Sequence, residues 1–450
     1  MLTWFLPVVL AAVCAPETIA DGACEPVAPD VRVDGSPAAG AKKEKRTEKE
    51  KRTEKNDDLL SWRHGDAFGL AVEATLEEDV QAAYDGAEAR GLSRFSLQRN
   101  RIGVRGVVFK HVEFEAAREV ETRDVETGLR EKTAWRDVNV NLAYLKRAEL
   151  QAGRFKVPFG LDALTSEVRN DFVYHTLGAD YLAPGRDAGV MLHGRLFDRV
   201  VHYSTGWFHG DGEHARSSKL LGGSNTLATR VTVSPFRRVH AGGLDDLEVG
   251  AAVALSDVSD GAALPQGLRG RTVLTEDTFF HSVYVNGQRR RIGTDVSWKN
   301  GPASLRAEYI RVSDDRMRQG YADEDLAAAR YRSWYVGGTY LLTGETKRRP
   351  VRPRNDVGRG GFGAIEAVAR YEHIWFDSAG GAGEPVRNPR AEAILSSGDR
   401  LVTVGFNWIL NRYLTLKFNA IRESVSDPQG NPAPDRGVFW NRVLRLQVAL

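Results

Sequence analysis

The chain has 450 residues, a formal net charge of +2 and 27% charged side chains, so its composition implies no nucleic-acid partner. Its two cysteines, Cys14 and Cys24, exclude a disulfide framework and a cysteine-based metal site, because Cys14 lies in an N-terminal apolar run expected to be removed. Such a length accommodates two or three ordinary domains or one large all-β unit.

In chain order, Leu2 to Val13 are almost wholly apolar and too short to span a bilayer comfortably. They read as the apolar region of a secretory signal over 1–20, with a cut after Ala20, although no Lys or Arg precedes them. No later apolar run reaches transmembrane-helix length, so a membrane location requires a barrel. Residues 21–65 read as a low-complexity tether. Within it Glu-Lys-Arg-Thr-Glu-Lys occurs at 44–49 and again at 50–55, with no apolar seam for a coiled coil. A disordered or partly helical arm is expected there, and a basic arm touching the cell wall or lipid headgroups is the sharper alternative.

From residue 66 to 450 the pattern has period two. Val138, Val140, Leu142 and Tyr144 alternate with Asp137, Asn139 and Asn141; Val402, Val404, Phe406 and Trp408 alternate with Thr403, Gly405 and Asn407. Such alternation marks strands with one apolar and one polar face. Sixteen strands are expected, near 66–76, 95–106, 109–120, 134–145, 147–156, 187–197, 199–209, 224–234, 245–256, 288–298, 303–312, 331–342, 362–375, 400–409, 412–422 and 438–450. The fold class is therefore all-β, a 16-stranded antiparallel transmembrane barrel with short turns on one rim and long polar loops on the other. A soluble β-sandwich is the rival, but a dry core would not hold the Arg, Glu and Asp of the polar face. Trp135, Tyr144, Trp207, Trp298, Tyr371, Trp375, Trp408 and Trp440, near strand ends, suit interfacial girdles.

Several sequence pieces, in order, carry a resemblance. They include Arg99-Asn100-Arg101-Ile102-Gly103-Val104-Arg105-Gly106, Gly153-Arg154-Phe155-Lys156-Val157-Pro158-Phe159-Gly160, Arg186-Asp187-Ala188-Gly189-Val190, Gly405-Phe406-Asn407-Trp408-Ile409-Leu410-Asn411 and the end Arg445-Leu446-Gln447-Val448. From about Phe95 onward the chain resembles the phosphate-selective porin O/P family. The resemblance implies an outer-membrane location in a Gram-negative-type cell, a homotrimer, an inwardly folded loop, and a lumen with arginines and lysines that guide phosphate. The chain departs from the family in having few lysines in the barrel part and in ending on Leu450 rather than an aromatic residue.

Period two also assigns faces. Opposite the apolar stripe lie Arg99, Arg101, Arg105, Arg195, Arg230, Arg289, Arg291, Arg306, Arg370, Lys417 and Arg445, with the acids Glu73, Glu113, Glu115, Asp137, Asp295, Glu308, Glu366 and Glu372. These cations, with Lys156, are the candidates for an anion pathway, since guanidinium forks suit phosphate oxygens. The bland alternative is that inward acids neutralise them and the pairs stiffen the wall. Arg99, Arg101 and Arg105, with no inward acid in their own segment, and Arg289 and Arg291 are the expected free groups. Arg154 and Lys156 share the parity of lipid-facing Leu150, so either a bulge flips the strand or both sit at the rim. Leu161 to Pro184 lacks a clean period and is the expected infolding loop.

Gly358-x-Gly360-x-x-Gly363 has dinucleotide-fingerprint spacing but precedes a strand, so no such cofactor is expected. His209, Asp211, Glu213 and His214 read as a loop tip in preference to a metal site. No nucleophile, base and orienter come together as an enzyme would need. The expected function is passive diffusion of small anions, phosphate or similar, with outer-membrane lipid around the barrel and no cofactor. A non-selective porin and an envelope scaffold with little conductance are the alternatives.

Overall fold

A computed structural model describes residues 61–65, 67–82, 93–120, 122–123, 130–131, 134–145, 147–213, 225–239, 241–259, 267–347, 350–378, 394–427 and 437–450. The expected signal and nearly all of the expected tether lie outside the described residues.

Sixteen long strands form the wall. They are β1 (Phe68–Ala82), β2 (Ser93–Val108), β3 (Val112–Glu119), β4 (Ala134–Leu145), β5 (Ala148–Lys156), β6 (Arg186–Leu196), β7 (Val201–Phe208) and β8 (Thr226–Val233). The second half comprises β9 (Glu248–Asp257), β10 (Gln288–Asn300), β11 (Ala303–Arg316), β12 (Leu326–Leu341), β13 (Ala364–Ser378), β14 (Ser397–Ile409), β15 (Leu414–Ser426) and β16 (Val438–Ala449). Each pairs antiparallel with the next, and β16 pairs with β1, from Thr75 opposite Ala449 to Ala82 opposite Arg442. The sheet is thereby closed, which removes the long unpaired edges of an open sheet. All sixteen strands match expected segments.

Two departures from the expectation have physical causes. Ser61–His64, placed in the tether, forms a short strand beside Phe68–Ala71, on the part of β1 that β16 leaves uncovered. Several strands also run further toward the long-loop rim than alternation indicates, as in β1 through Glu77, Glu78 and Asp79 and in β11 through Asp314, Asp315 and Arg316. Beyond the hydrocarbon both faces meet polar surroundings, so the two-residue signal ends before the hydrogen-bonded ladder does.

The faces are inverted relative to a soluble barrel. Val138, Val140, Val190, Leu192, Val253 and Ile292 point outward and are exposed for lipid. Trp135, Trp207 and Trp440 are exposed toward the long-loop rim, and Tyr144 and Tyr340 toward the short-turn rim, as interfacial girdles require. Inward-facing Asp79, Asp137, Asn141, Arg230, Glu366, Asn407, Lys417 and Arg445 are buried.

The expected infolding of the segment from Leu161 to Pro184 is observed, and it makes part of the lumen apolar. Loop 157–185 and the described residues 267–287 of a later connection fold inside and bring an apolar cluster with them. Phe159, Leu182, Leu268 and Phe279 pack there with wall residues Phe208, Ile310, Tyr331 and Phe376. Phe280 stacks on Phe376 at 4.5 Å between centroids, and Phe279 meets the same ring edge-on at 5.8 Å. Burying these groups removes their apolar surface from water, which offsets the cost of ordering two long loops.

Candidate functional site

A loop inside a barrel takes its backbone amides and carbonyls away from solvent, and each needs a partner. The wall supplies them to loop 157–185. Gly160, at φ 79°, turns the chain inward. Glu308 then accepts from the Leu161 amide at 2.7 Å and the Asp162 amide at 3.2 Å. Asn419 accepts from the Val173 amide at 2.8 Å and Glu372 from the Leu177 amide at 2.9 Å. In the other direction Lys417 donates to the Asn170 carbonyl at 2.8 Å, Arg370 to the Tyr174 carbonyl at 3.1 Å, Arg445 to the Val173 carbonyl at 2.8 Å, and Arg291 to the Leu182 carbonyl at 2.8 Å. Inside the loop, Asp162 accepts from the Thr176 amide at 2.7 Å and lies 3.3 Å from His175 Nδ1. From the short-turn rim, Lys347 reaches up to Asp171 at 2.7 Å and also to Glu366.

Most expected pathway cations are therefore occupied. Arg99 sits between Glu167 at 2.8 Å, Glu119 at 2.9 Å and Glu77 at 3.2 Å. Arg105 pairs with Glu73 at 2.7 Å, and Arg230 grips Asp295 through both terminal nitrogens. Arg289 is fully buried between Asp314 and Asp211, and fully buried Arg291 also takes Asp211. Arg370 lies 3.0 Å from Glu372, and Arg445 pairs with Asp79 at 2.6 Å. The expectation of free guanidinium groups at Arg99, Arg105, Arg289 and Arg291 is thus corrected. The acids that pair with them come from other strands and from loops, where same-segment inspection cannot see them. Asp211 and Glu213, expected at a loop tip, are instead folded-in hubs, Glu213 meeting Arg136 at 3.1 Å and Arg154 at 3.3 Å. Among the described residues no cluster of His, Cys, Asp or Glu suits a metal ion.

Among the described residues, the larger of two open spaces lies on one side. A cavity of about 480 Å³ runs between β1–β6 and loop 157–185, from Ala449 and Leu450 to Lys156 and Arg186. It is lined by Arg101, Arg105, Lys156, Arg169 and Arg186 and by the acids Glu73, Glu115 and Asp137. Arg105 is paired with Glu73, and Arg186 with Asp137 at 3.0 Å. Arg101 has only longer contacts, 3.5 Å to Glu119 and 4.0 Å to Glu167. Lys156 donates to the carbonyls of Ala163 at 2.6 Å and Thr165 at 2.8 Å, which orients its ammonium without neutralising it. Arg169 is exposed and has no side-chain partner among the described residues.

Of the remaining candidates, Arg306 donates to the Thr165 hydroxyl at 3.4 Å and borders a much smaller cleft with Asp162 and Arg370. Arg195 is exposed toward the short-turn rim. The parity problem at Arg154 and Lys156 resolves around Gly153, at φ 127°, where a Cβ would lie 2.2 Å from the Val138 carbonyl oxygen. Beyond it Phe155 and Lys156 both enter the lumen, while Arg154 goes to Glu213 at the rim. Sequence reasoning missed Arg169, although it is the single Lys or Arg in 161–185.

A closed sixteen-stranded barrel with an apolar exterior, a charged interior and an infolded loop defines an outer-membrane porin, a channel fold. More particularly, the chain belongs to the phosphate-selective porin O and P family, whose sequence pattern matches residues 72–450. No curated protein matches the chain in sequence. Among solved structures it is similar to OmpF of Salmonella typhi in complex with daunomycin, at 11% identity and TM-score 0.55, covering 86% of this chain and 99% of that one. It is also similar to the loop L8 deletion mutant of OmpT from Vibrio cholerae, at 11% identity and TM-score 0.53, covering 85% and 100%. At these identities the likeness is one of fold.

Proposed function

We propose that this porin passes small anions, of phosphate type, through the off-centre cavity beside loop 157–185. The observation that carries this reading is the charge left on the cavity wall. After Arg105–Glu73 and Arg186–Asp137 are paired off, Arg101, Lys156 and Arg169 face the space with Glu115 as the remaining acid. A narrow, low-dielectric passage with such an excess of donors favours anions and disfavours cations, and weak sites in series permit flow where one tight site would block it. Export by a cleaved signal and assembly as a homotrimer belong to the same reading, supported by the apolar N-terminal run and the family. The fill of the rest of the lumen favours a second reading, a barrel of low conductance kept for envelope architecture.

Single-channel recording in a salt gradient tests both. The wild type is expected to show an anion-selective reversal potential and block of chloride current by added phosphate. Lys156→Glu with Arg169→Glu should move the reversal potential toward the cation side and abolish the block. A double variant with unchanged selectivity would remove the pathway proposed here, and absence of conductance in the wild type would favour the second reading.

A further inference from the structure

The connection between β12 and β13, residues 342–363, differs from neighbouring turns on its rim such as 301–302 and 410–413, which are short. Its sequence holds Lys347, Arg348, Arg349, Arg352, Arg354 and Arg359 against only Glu345 and Asp356. Glu345 is buried, whereas Arg352, Arg354 and Arg359 are exposed. The segment is fastened to the next turn. The Val357 amide donates to the Leu410 carbonyl at 2.9 Å, and Trp408 Nε1 donates to the Phe362 carbonyl at 2.8 Å. Phe362 stacks on Trp408 at 5.4 Å and remains 61% exposed. Just above, Tyr340, Leu342 and Phe406 are exposed on the lipid-facing side.

Aromatic rings settle at the headgroup level of a bilayer, and arginine forks bind phosphate oxygens bidentately. We propose that this platform binds an anionic phospholipid of the periplasmic leaflet, its phosphate held by Arg352, Arg354 and Arg359 and its acyl chains lying along Tyr340, Leu342 and Phe406. A lipid fits better than a soluble acidic partner because one molecule joins a phosphate to apolar chains, as the platform joins arginines to the lipid-facing band. An acidic protein would leave Phe362 and Leu342 uncovered. The inference rests on the outer-membrane location and is independent of anion preference in the lumen. Elsewhere on the rim, Phe109 with Lys110 and Phe197 with Arg199 form a sparser collar, which provides the control.

The full-length protein in detergent micelles is offered equal dioleoylphosphatidylglycerol and dioleoylphosphatidylcholine, and retained lipid is counted by native mass spectrometry. The wild type should retain phosphatidylglycerol preferentially. Arg352→Gln with Arg354→Gln and Arg359→Gln should lower that preference on the order of tenfold, because the attraction of basic residues to anionic headgroups accumulates per charge. The corresponding triple lysine variant should keep most of it, and Lys110→Gln with Arg199→Gln should leave it unchanged. Should the glutamine triple fail to fold as a barrel by circular dichroism, Arg359→Gln alone against the lysine triple gives the same comparison at smaller amplitude. Retained preference in the glutamine variants, or equal loss in the collar variant, overturns the site. So does a wild type that shows no preference, which would point to an acidic protein partner.

Discussion

The two sides of the barrel interior use the same residue types for different ends. On the β10–β16 side, Arg291, Arg370, Lys417 and Arg445 each donate to a main-chain carbonyl of loop 157–185, and Glu308 and Glu372 accept its amides. On the β1–β6 side, Arg101 and Lys156 border open space together with Arg169 of the loop, although Lys156 also donates to the loop carbonyls of Ala163 and Thr165. Inward charge therefore marks a lumen, but it does not say whether solute or backbone is the partner. The loop decides, by filling the space against the β10–β16 wall and meeting the β1–β6 wall at fewer points, among them Arg99 and Lys156.

The largest expected effect comes from removing that asymmetry. Replacing 162–184 with a short Gly/Ser linker should raise single-channel conductance several-fold, since the filled side becomes open. An intact barrel with unchanged conductance would show that current does not depend on where the loop lies.

Next is stability on the filled side. Arg291→Ala leaves Arg289 as the remaining arginine on buried Asp211 and leaves the Leu182 carbonyl without this donor, a loss of about 3–5 kcal/mol for a broken buried pair. Urea unfolding in detergent measures it, and a loss below about 1 kcal/mol would mean that the network is slack.

A smaller effect is expected from pH. Burial acts to lower His175, but Asp162 and Glu167 beside it raise it overall, while burial lifts Asp180 to about 7. The docked loop thus prefers both groups protonated. The His175 contribution is complete below its unfolded value and is lost as pH rises through the folded one. The Asp180 carboxyl penalises docking increasingly as pH climbs from its ordinary value to about 7. Asp162 and Glu167 are held below their ordinary range and titrate beneath this window. Loop docking should weaken as pH rises from the ordinary carboxylate value to about 7 through Asp180, and further above the ordinary histidine value through His175, read as rising current noise whose upper part His175→Gln flattens. Noise that falls with pH would reverse the assignment.

The smallest effect is expected on the open side. Arg105 and Glu73 are both more than a third exposed, so Arg105→Ala should cost under about 1 kcal/mol in the same unfolding experiment. A loss as large as that at Arg291 would erase the distinction between the two sides.

Much of the wall was legible from sequence alone. Lipid outside and polar surroundings inside force strict alternation on every strand, so Val138, Val140 and Leu142 against Asp137, Asn139 and Asn141 suffice to place both faces. The breakdown of period after Pro158 likewise marked the loop that turns inward. The occupancy of each cation was not legible. Arg99 meets Glu77, Glu119 and Glu167 from two other strands and a loop, and Arg289 meets Asp211 across 78 positions of chain. Ion pairing depends on distance in space, and strand register and loop path set that distance. Periodicity records only which face a side chain takes. The sequence by itself determined the class of the protein, its strand count and which side chains face the interior. Only the tertiary structure decided that, among the described residues, loop 157–185 fills the β10–β16 side and that Arg101, Lys156 and Arg169 border a cavity on the other.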